Sequence, residues 1–151
     1  MNHDIYISLG SNLGNRKAYL QQAIEGIAMR VGTIVDIAPI YETPSWGFAG
    51  EAFLNTCLLC KSFLSPEEVL SQLLQIEHEL GRERVPNQKG YQSRTIDLDI
   101  LFYDDEVINS ELLTIPHPLL HRRKFVLRPL AALDEQKVHP ILQKTIGELL
   151  R

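Results

Sequence analysis

The spacing of apolar residues changes from a period of two to a helical period near the start of the chain. Residues 5–9 alternate weakly and are rich in β-forming side chains, which predicts a strand. Apolar side chains then recur every three or four residues, at Leu20, Ala23, Ile24, Ile27, Ala28 and Val31. This spacing predicts an amphipathic helix over 16–30, with Asn15 as its N-cap and Gly32 as its stop.

The middle of the chain has the pattern of two more strands and a second helix. Residues 33–41 and 52–63 are predicted to be strands, with a loop between them. The segment Ser65-Pro66-Glu67-Glu68 is typical of a helix start, because the serine can cap, the proline suits the first position and the second glutamate completes a capping box. Gly81 is expected to end this helix.

The last part of the chain begins with a polar stretch at 82–93 that has no periodicity and is typical of a mobile loop. Beyond it the pattern predicts a strand at 95–103, a turn at 104–105, a short partner strand at 106–108 and helices at 119–133 and 141–150. The order β-α-β-β-α-β with additional C-terminal helices indicates an α+β sandwich of ferredoxin-like type, with an antiparallel or mixed sheet. A length of 151 residues suits a single domain, which we expect to span 1–151.

Composition excludes several classes of protein. With 44% hydrophobic and 23% charged residues the chain matches a globular domain and not a disordered or fibrous one. Its apolar runs are too short for a membrane-spanning helix, and its first residues lack the basic and apolar segments of a signal peptide. We therefore expect a cytoplasmic protein with no membrane partner.

The spacing of Cys57 and Cys60 is shared by redox motifs and by half of a zinc site. Residues three apart on a strand point to opposite faces, so the two sulfur atoms are expected to diverge. The sequence has no second cysteine pair to complete a zinc site. We therefore interpret both residues as buried structural thiols.

The net charge of −4 hides two basic segments. Residues 82–94 carry a local charge of +3 and residues 117–128 one of +4, so the remainder carries −11. Two basic segments on an acidic chain favour a confined anion site over a broad nucleic-acid surface. Two solvated basic loops are the alternative, and the charges alone do not separate the two.

Asp97 and Asp99 form the most informative pair in the sequence. On a strand they share one face at about 6.6 Å between Cα atoms, while Ile96, Leu98 and Ile100 occupy the other. Two carboxylates in such a strand suggest neutralising cations, and carboxylate oxygens favour hard ions such as Mg²⁺. The alternative is a strand face that simply contacts solvent.

Two single polar residues are also candidates. Glu77 lies on the face of its helix that the leucines would bury, so either the helix edge leaves it in water, which the residues alone favour, or it accepts hydrogen bonds from a ligand such as a ribose. His117 lies between two prolines and shortly before Arg122 and Arg123. It is either a phosphate donor or an ordinary turn histidine.

Aromatic side chains suggest a slot for a flat ring. Trp46, Phe48, Phe53 and Phe125 either belong to the core or line such a slot, and Asn55 offers both a donor and an acceptor to a ring edge.

Taken in order, these segments resemble one known family. The motifs are Ser8-Leu9-Gly10-Ser11-Asn12-Leu13-Gly14, Tyr41-Glu42-Thr43-Pro44, Phe53-Leu54-Asn55, Ile76-Glu77, Gly81-Arg82, Ser93-Arg94-Thr95-Ile96-Asp97-Leu98-Asp99-Ile100, Val107-Ile108-Asn109 and Ile115-Pro116-His117, followed by Arg123 and Phe125. The chain is similar over nearly its whole length to 6-hydroxymethyl-7,8-dihydropterin pyrophosphokinases of folate biosynthesis.

The resemblance implies transfer of the β,γ-diphosphate of ATP to the hydroxymethyl group of the pterin, with release of AMP. It implies that Asp97 and Asp99 hold two Mg²⁺ ions and act in catalysis with Arg82 and Arg94. The residues implied to bind ATP are Glu77, Arg82, Arg84, Arg94, Ile100, Thr114, His117 and Arg123. Those implied to bind the pterin are Thr43, Pro44, Trp46, Phe53, Asn55 and Phe125.

The expected partners are thus two small molecules, with no nucleic acid and no membrane, and we expect a monomer. Two alternatives remain open at this point. A non-catalytic α+β module could bind single-stranded RNA through its aromatic and basic residues, although the acidic balance disfavours it. Another Mg²⁺-dependent nucleotidyl- or phosphotransferase is the second.

Overall fold

A computed structural model describes residues 2–43, 52–81 and 95–151. In chain order the elements are β1 (His3–Ser11), α1 (Arg16–Arg30), β2 (Thr33–Ile37), β3 (Tyr41–Thr43), β4 (Phe53–Ser62), α2 (Pro66–Glu79), β5 (Asp97–Tyr103), β6 (Ile108–Asn109), β7 (Thr114–Ile115), a 3₁₀ helix (Leu120–Arg122), α3 (Lys124–Asp134) and α4 (Ile146–Leu150). Within these ranges no helix is long and apolar enough to cross a membrane.

The main sheet has the order β2-β4-β1-β5, and β3 pairs with β4 alongside β2. All of its pairs are antiparallel. One apolar core lies between the sheet and helices α1 and α2, and a second lies between the other face of the sheet and helices α3 and α4. This three-layer arrangement of split β-α-β units confirms the predicted α+β class.

The two long helices begin where their capping residues predict. The Asn15 side chain accepts a hydrogen bond from the Ala18 amide at 3.2 Å, and α1 ends at Arg30 as expected. Ser65 and Glu68 form the predicted reciprocal capping box at the start of α2. Gly81, just beyond α2, has a φ of +89°, a conformation that glycine adopts without strain.

Gly32 follows α1 for a reason that helix periodicity does not show. A Cβ atom at this position would lie 2.1 Å from the carbonyl oxygen of Lys61 on β4. Its role is therefore a close approach of two backbones, in addition to the helix stop that the sequence predicts.

The predicted strand at 33–41 is two strands. β2 pairs with the second half of β4, β3 pairs with the first half, and the chain leaves the ladder between them. At the break the Ala38 amide donates to the Cys57 carbonyl, and the Thr56 hydroxyl donates to the Ala38 carbonyl. A side-chain hydrogen bond thus replaces part of the ladder, which residue propensities do not reveal.

Three predictions for the last part of the chain are wrong in detail. The partner strand expected at 106–108 is β6, which begins at Ile108 and pairs with β7 and not with β5. The helix expected at 119–133 is divided, because Arg123 is extended between the 3₁₀ helix and α3. The helix expected at 141–150 begins only at Ile146, after a capping box formed by Thr145 and Glu148.

A β-bulge interrupts the pairing of β1 with β5. Tyr6 pairs with Phe102 and Ile7 pairs with Ile100, so Leu101 has no partner on β1. The side chains of Leu101 and Phe102 consequently both enter the core beneath α3. Bulges of this kind are common next to functional sites.

Candidate functional site

A cavity of about 490 Å³ lies between the sheet and the start of α3. Its lining combines strand residues from the middle of the sheet with the basic segment that precedes and begins α3. The lining residues are Ser8, Leu9, Gly10, Thr43, Phe53, Asn55, Thr56, Asp97, Asp99, Arg122, Arg123, Lys124, Phe125, Val126 and Arg128.

Asp97 and Asp99 enter this cavity from β5. Both are half-buried, whereas the alternate residues Leu98 and Ile100 are buried in the core beneath α1 and α2. The predicted common face is therefore confirmed. On β1, Gly10 pairs with Asp97 and Ser8 pairs with Asp99.

Gly10 brings the carboxylate pair close to Asn55. Gly10 pairs with Asp97 on one side and with Asn55 on the other, so the three residues form one row across the sheet. A Cβ atom on Gly10 would lie 3.1 Å from the Asn55 side-chain oxygen. The Asn55 amide nitrogen donates to the Thr43 hydroxyl at 2.8 Å, which fixes the orientation of the side chain.

Aromatic and basic side chains complete the lining, with Phe53 on the sheet, near Gly10 and Asn55, and Phe125 at the start of α3. Phe53 and Phe125 line the cavity, and the Arg123 guanidinium lies 5.6 Å from the centre of the Phe125 ring, a cation–π distance. Arg122, Lys124 and Arg128 also line it, so positive charges face the two aspartates across the cavity.

His117 is held beside β5 and is neutral. Its backbone amide donates to the Leu101 carbonyl at 3.2 Å, and its Nδ1 accepts a hydrogen bond from the Leu119 amide at 3.2 Å. Burial and the nearby Arg123 charge lower the pKa of His117 to about 4, although Asp97 opposes the shift. Because Nδ1 is an acceptor, the ring proton is on Nε2, which makes His117 a hydrogen-bond donor.

Glu77 is not at a wet helix edge, so the interpretation favoured by the sequence alone is wrong. Only 2% of its surface is exposed, and its Oε2 atom accepts a hydrogen bond from the Leu98 amide at 2.9 Å. It is absent from the cavity lining, and a role at the ribose stays a prediction.

Ile100 and Thr114 are two further residues that the resemblance implies to bind ATP. Ile100 lies on β5 and Thr114 on β7, and these two strands pack together.

The two cysteines are structural, as predicted. Cys57 contributes to the core beneath α3 and Cys60 to the opposite core, so their side chains diverge. Burial raises the pKa of the Cys57 thiol far above its ordinary value and that of Cys60 to about 11. Neither sulfur is a thiolate at neutral pH.

Six of the candidate site residues lie outside the described residues, as does the predicted loop at 82–93; they are Pro44, Trp46, Phe48, Arg82, Arg84 and Arg94. Lys124 and Arg128 belong to the segment at 117–128 whose charge of +4 favoured a confined anion site, and both line the cavity. Ser8 and Gly10 also line it and were not among the predicted site residues, although strand alternation opposite the aspartates could have found them.

Acidic and basic groups lining one cavity of an α+β sandwich are the chemistry that suits a phosphorylated ligand. The sequence profile of the family described as 7,8-dihydro-6-hydroxymethylpterin-pyrophosphokinase matches residues 6–135. The chain belongs to this family, which confirms the resemblance recognised from its motifs.

Individual relatives agree with the family match. The 2-amino-4-hydroxy-6-hydroxymethyldihydropteridine pyrophosphokinase of Aquifex aeolicus is 39% identical over 145 residues, covering 95% of this chain and 88% of the relative. The Bacillus subtilis enzyme of the same name is 43% identical over 138 residues, covering 90% and 81%. A crystal structure of Plasmodium falciparum HPPK-DHPS has a TM-score of 0.82 over 99% of this chain and 45% of that one, and its 16% identity shows the shared fold alone.

Proposed function

We propose that this chain transfers the β,γ-diphosphate of ATP to the hydroxymethyl oxygen of 6-hydroxymethyl-7,8-dihydropterin, giving the pterin diphosphate and AMP in folate biosynthesis. The observation that carries the proposal is a cavity whose sheet wall carries the two aspartates, Asn55 and Phe53, and whose other wall carries arginines and Phe125 from the segment that precedes and begins α3. We further propose that it works as a cytoplasmic monomer with one domain over 1–151.

The carboxylate pair fits hard divalent ions. Asp97 and Asp99 come from one strand, face the same cavity and offer only oxygen atoms, the ligands that Mg²⁺ prefers. These two residues would hold two Mg²⁺ ions, which neutralise the negative charge of the triphosphate when bound.

Transfer of a phosphoryl group depends on positioning and on charge neutralisation more than on covalent help from the protein. Arg123 on the cavity wall supplies positive charge for the phosphates, and the Nε2–H group of His117 supplies a hydrogen-bond donor. We assign Arg82, Arg84 and Arg94 to the same task. The hydroxymethyl oxygen attacks the β-phosphorus and its proton is released to water, while the bond from the β-phosphorus to the α,β-bridging oxygen breaks and AMP leaves with that oxygen.

The aromatic part of the cavity suits the pterin. Phe53 and Phe125 provide flat apolar surfaces for the ring, and Asn55 presents its amide to the ring edge while Thr43 holds it in place. Pro44 and Trp46 are proposed to complete this slot. The backbone at Ile100 and Thr114 is proposed to contact the adenine.

The product of the reaction tests this proposal most directly. Purified protein with ATP, Mg²⁺ and the hydroxymethyl pterin is expected to release AMP in a one-to-one ratio with the pterin diphosphate. A reaction without pterin is the control and is expected to release almost no AMP. Release of ADP, or turnover that does not depend on the pterin, contradicts the proposal.

A further inference from the structure

We propose that Glu77 is a positioning residue that holds the aspartate-bearing segment of β5 in place from outside the cavity. The inference rests on the proposed function, in which Asp97 and Asp99 bind the metal ions. It assigns Glu77 an action on the protein backbone and not on the nucleotide.

The Leu98 amide lies on the outer side of the last strand of the sheet. β5 is the last strand of the order β2-β4-β1-β5, so alternate amides along it face away from β1. The Leu98 amide is one of these, because it donates to Glu77 on α2. Leu98 lies between the two aspartates, so this hydrogen bond holds the one backbone position that they flank.

Glu77 and Leu98 are both buried. Glu77 is 2% exposed and Leu98 is 5% exposed, so their hydrogen bond is shielded from water. A hydrogen bond to a buried carboxylate is stronger than one between neutral groups, and its loss leaves a buried amide without an acceptor. An apolar residue would satisfy packing at position 77 but would provide no acceptor for the strand edge.

The backbone at Leu98 connects Glu77 to the two aspartates of the proposed metal site. A shift of the backbone at Leu98 moves both neighbouring carboxylates together, because each is one residue away on the same strand. Groups that orient metal ligands typically change metal affinity 10- to 100-fold when they are removed. We expect a loss of that size in divalent-ion affinity when Glu77 becomes leucine.

The experiment compares Glu77→Leu with Glu77→Gln, which keeps an acceptor oxygen, and with Leu73→Ala in the same helix, which removes buried apolar contacts. Amide exchange of Leu98 is measured in the metal-free protein, and Mn²⁺ affinity is measured by EPR with α,β-methylene ATP. In Glu77→Leu we expect Leu98 exchange to accelerate at least about tenfold relative to its neighbours. We also expect weaker Mn²⁺ binding in that variant, with both properties near wild type in Glu77→Gln.

Leu73→Ala is expected to lower the melting temperature without either local effect. Unchanged Leu98 exchange and Mn²⁺ affinity in Glu77→Leu overturn the inference. If Glu77 instead binds the ribose, wild type discriminates ATP from its 2′- and 3′-deoxy analogues and Glu77→Leu does not. Failure of the proposed function is a separate result, because Mn²⁺ affinity would then be insensitive to Asp97→Asn and Asp99→Asn.

Discussion

Asp97 and Asp99 are expected to contribute to catalysis and not to stability. Two carboxylates on one strand face repel each other when no cation lies between them. Asp97→Ala or Asp99→Ala is therefore expected to reduce AMP release by at least about a hundredfold while leaving the metal-free melting temperature unchanged or slightly higher. Assays and thermal melts with and without Mg²⁺ check this, and a large loss of stability in metal-free buffer would contradict it.

Phe125 is expected to act on the pterin more than on ATP. Its ring lines the cavity and has the Arg123 guanidinium on one side. Phe125→Ala removes a stacking surface that contributes about 1 kcal/mol or more, so we expect the KM for the pterin to rise at least about fivefold.

The control is Phe63→Ala, because the Phe63 side chain is 77% exposed and lies outside the cavity lining. Its steady-state parameters are expected to match wild type. If Phe125→Ala raised the KM for ATP as much as the KM for the pterin, the result would indicate a general change in cavity shape instead of loss of a ring contact.

At the level of elements, the junction between α1 and β2 depends on Gly32. An added methyl group would lie 2.1 Å from the Lys61 carbonyl oxygen, and backbone atoms cannot move away as a flexible side chain can. Gly32→Ala is therefore expected to lower the free energy of unfolding by about 2 kcal/mol or more. Urea denaturation measures this, and Met29→Ala at an 87% exposed position nearby is the matched control.

The turn before α4 is expected to make the protein sensitive to acid. His139 is 4% exposed, and its Nδ1 accepts hydrogen bonds from the amides of Ile141 and Leu142. Burial, and then the charge of His121, lower the pKa of His139 below its ordinary value of 6.5. The folded protein thus binds fewer protons than the unfolded chain.

The stability that neutral His139 provides is complete above the unfolded pKa near 6.5 and is lost as the pH falls toward the lower folded value. The slope contributed by one such group is at most about 1.4 kcal/mol per pH unit. His117, with its pKa also lowered, adds to the same trend. Urea denaturation between pH 7.5 and 5 should show a shallower dependence for His139→Asn, and identical slopes would contradict this account.

The elements predicted correctly from sequence are those defined by local chemistry. α1 and α2 begin directly after their caps Asn15 and Ser65, because each cap satisfies an amide within the first turn of its own helix. The break between β2 and β3 depends instead on the Thr56 hydroxyl of a distant strand. The start of α4 was missed although the capping box of Thr145 and Glu148 is visible in the sequence.

For the molecule as a whole, the composition of the site was easier to predict than its assembly. The common face of Asp97 and Asp99 follows from strand alternation alone. The burial of Glu77 could not be predicted, because it depends on how α2 packs beside β5. Likewise, the position of Arg128 opposite the aspartates depends on how α3 crosses the sheet.

The bulge at Leu101 makes the sheet tolerant of losing one residue from β5. Without Leu101, β5 would form a regular ladder, and its other residues would keep the faces that they now occupy. A chain shortened by this one residue would therefore keep its sheet and both aspartates in place. It would lose the carbonyl that anchors the amide of His117. The extra residue thus serves the docking of the following segment, and natural insertions or deletions at this point should affect His117 before they affect the sheet.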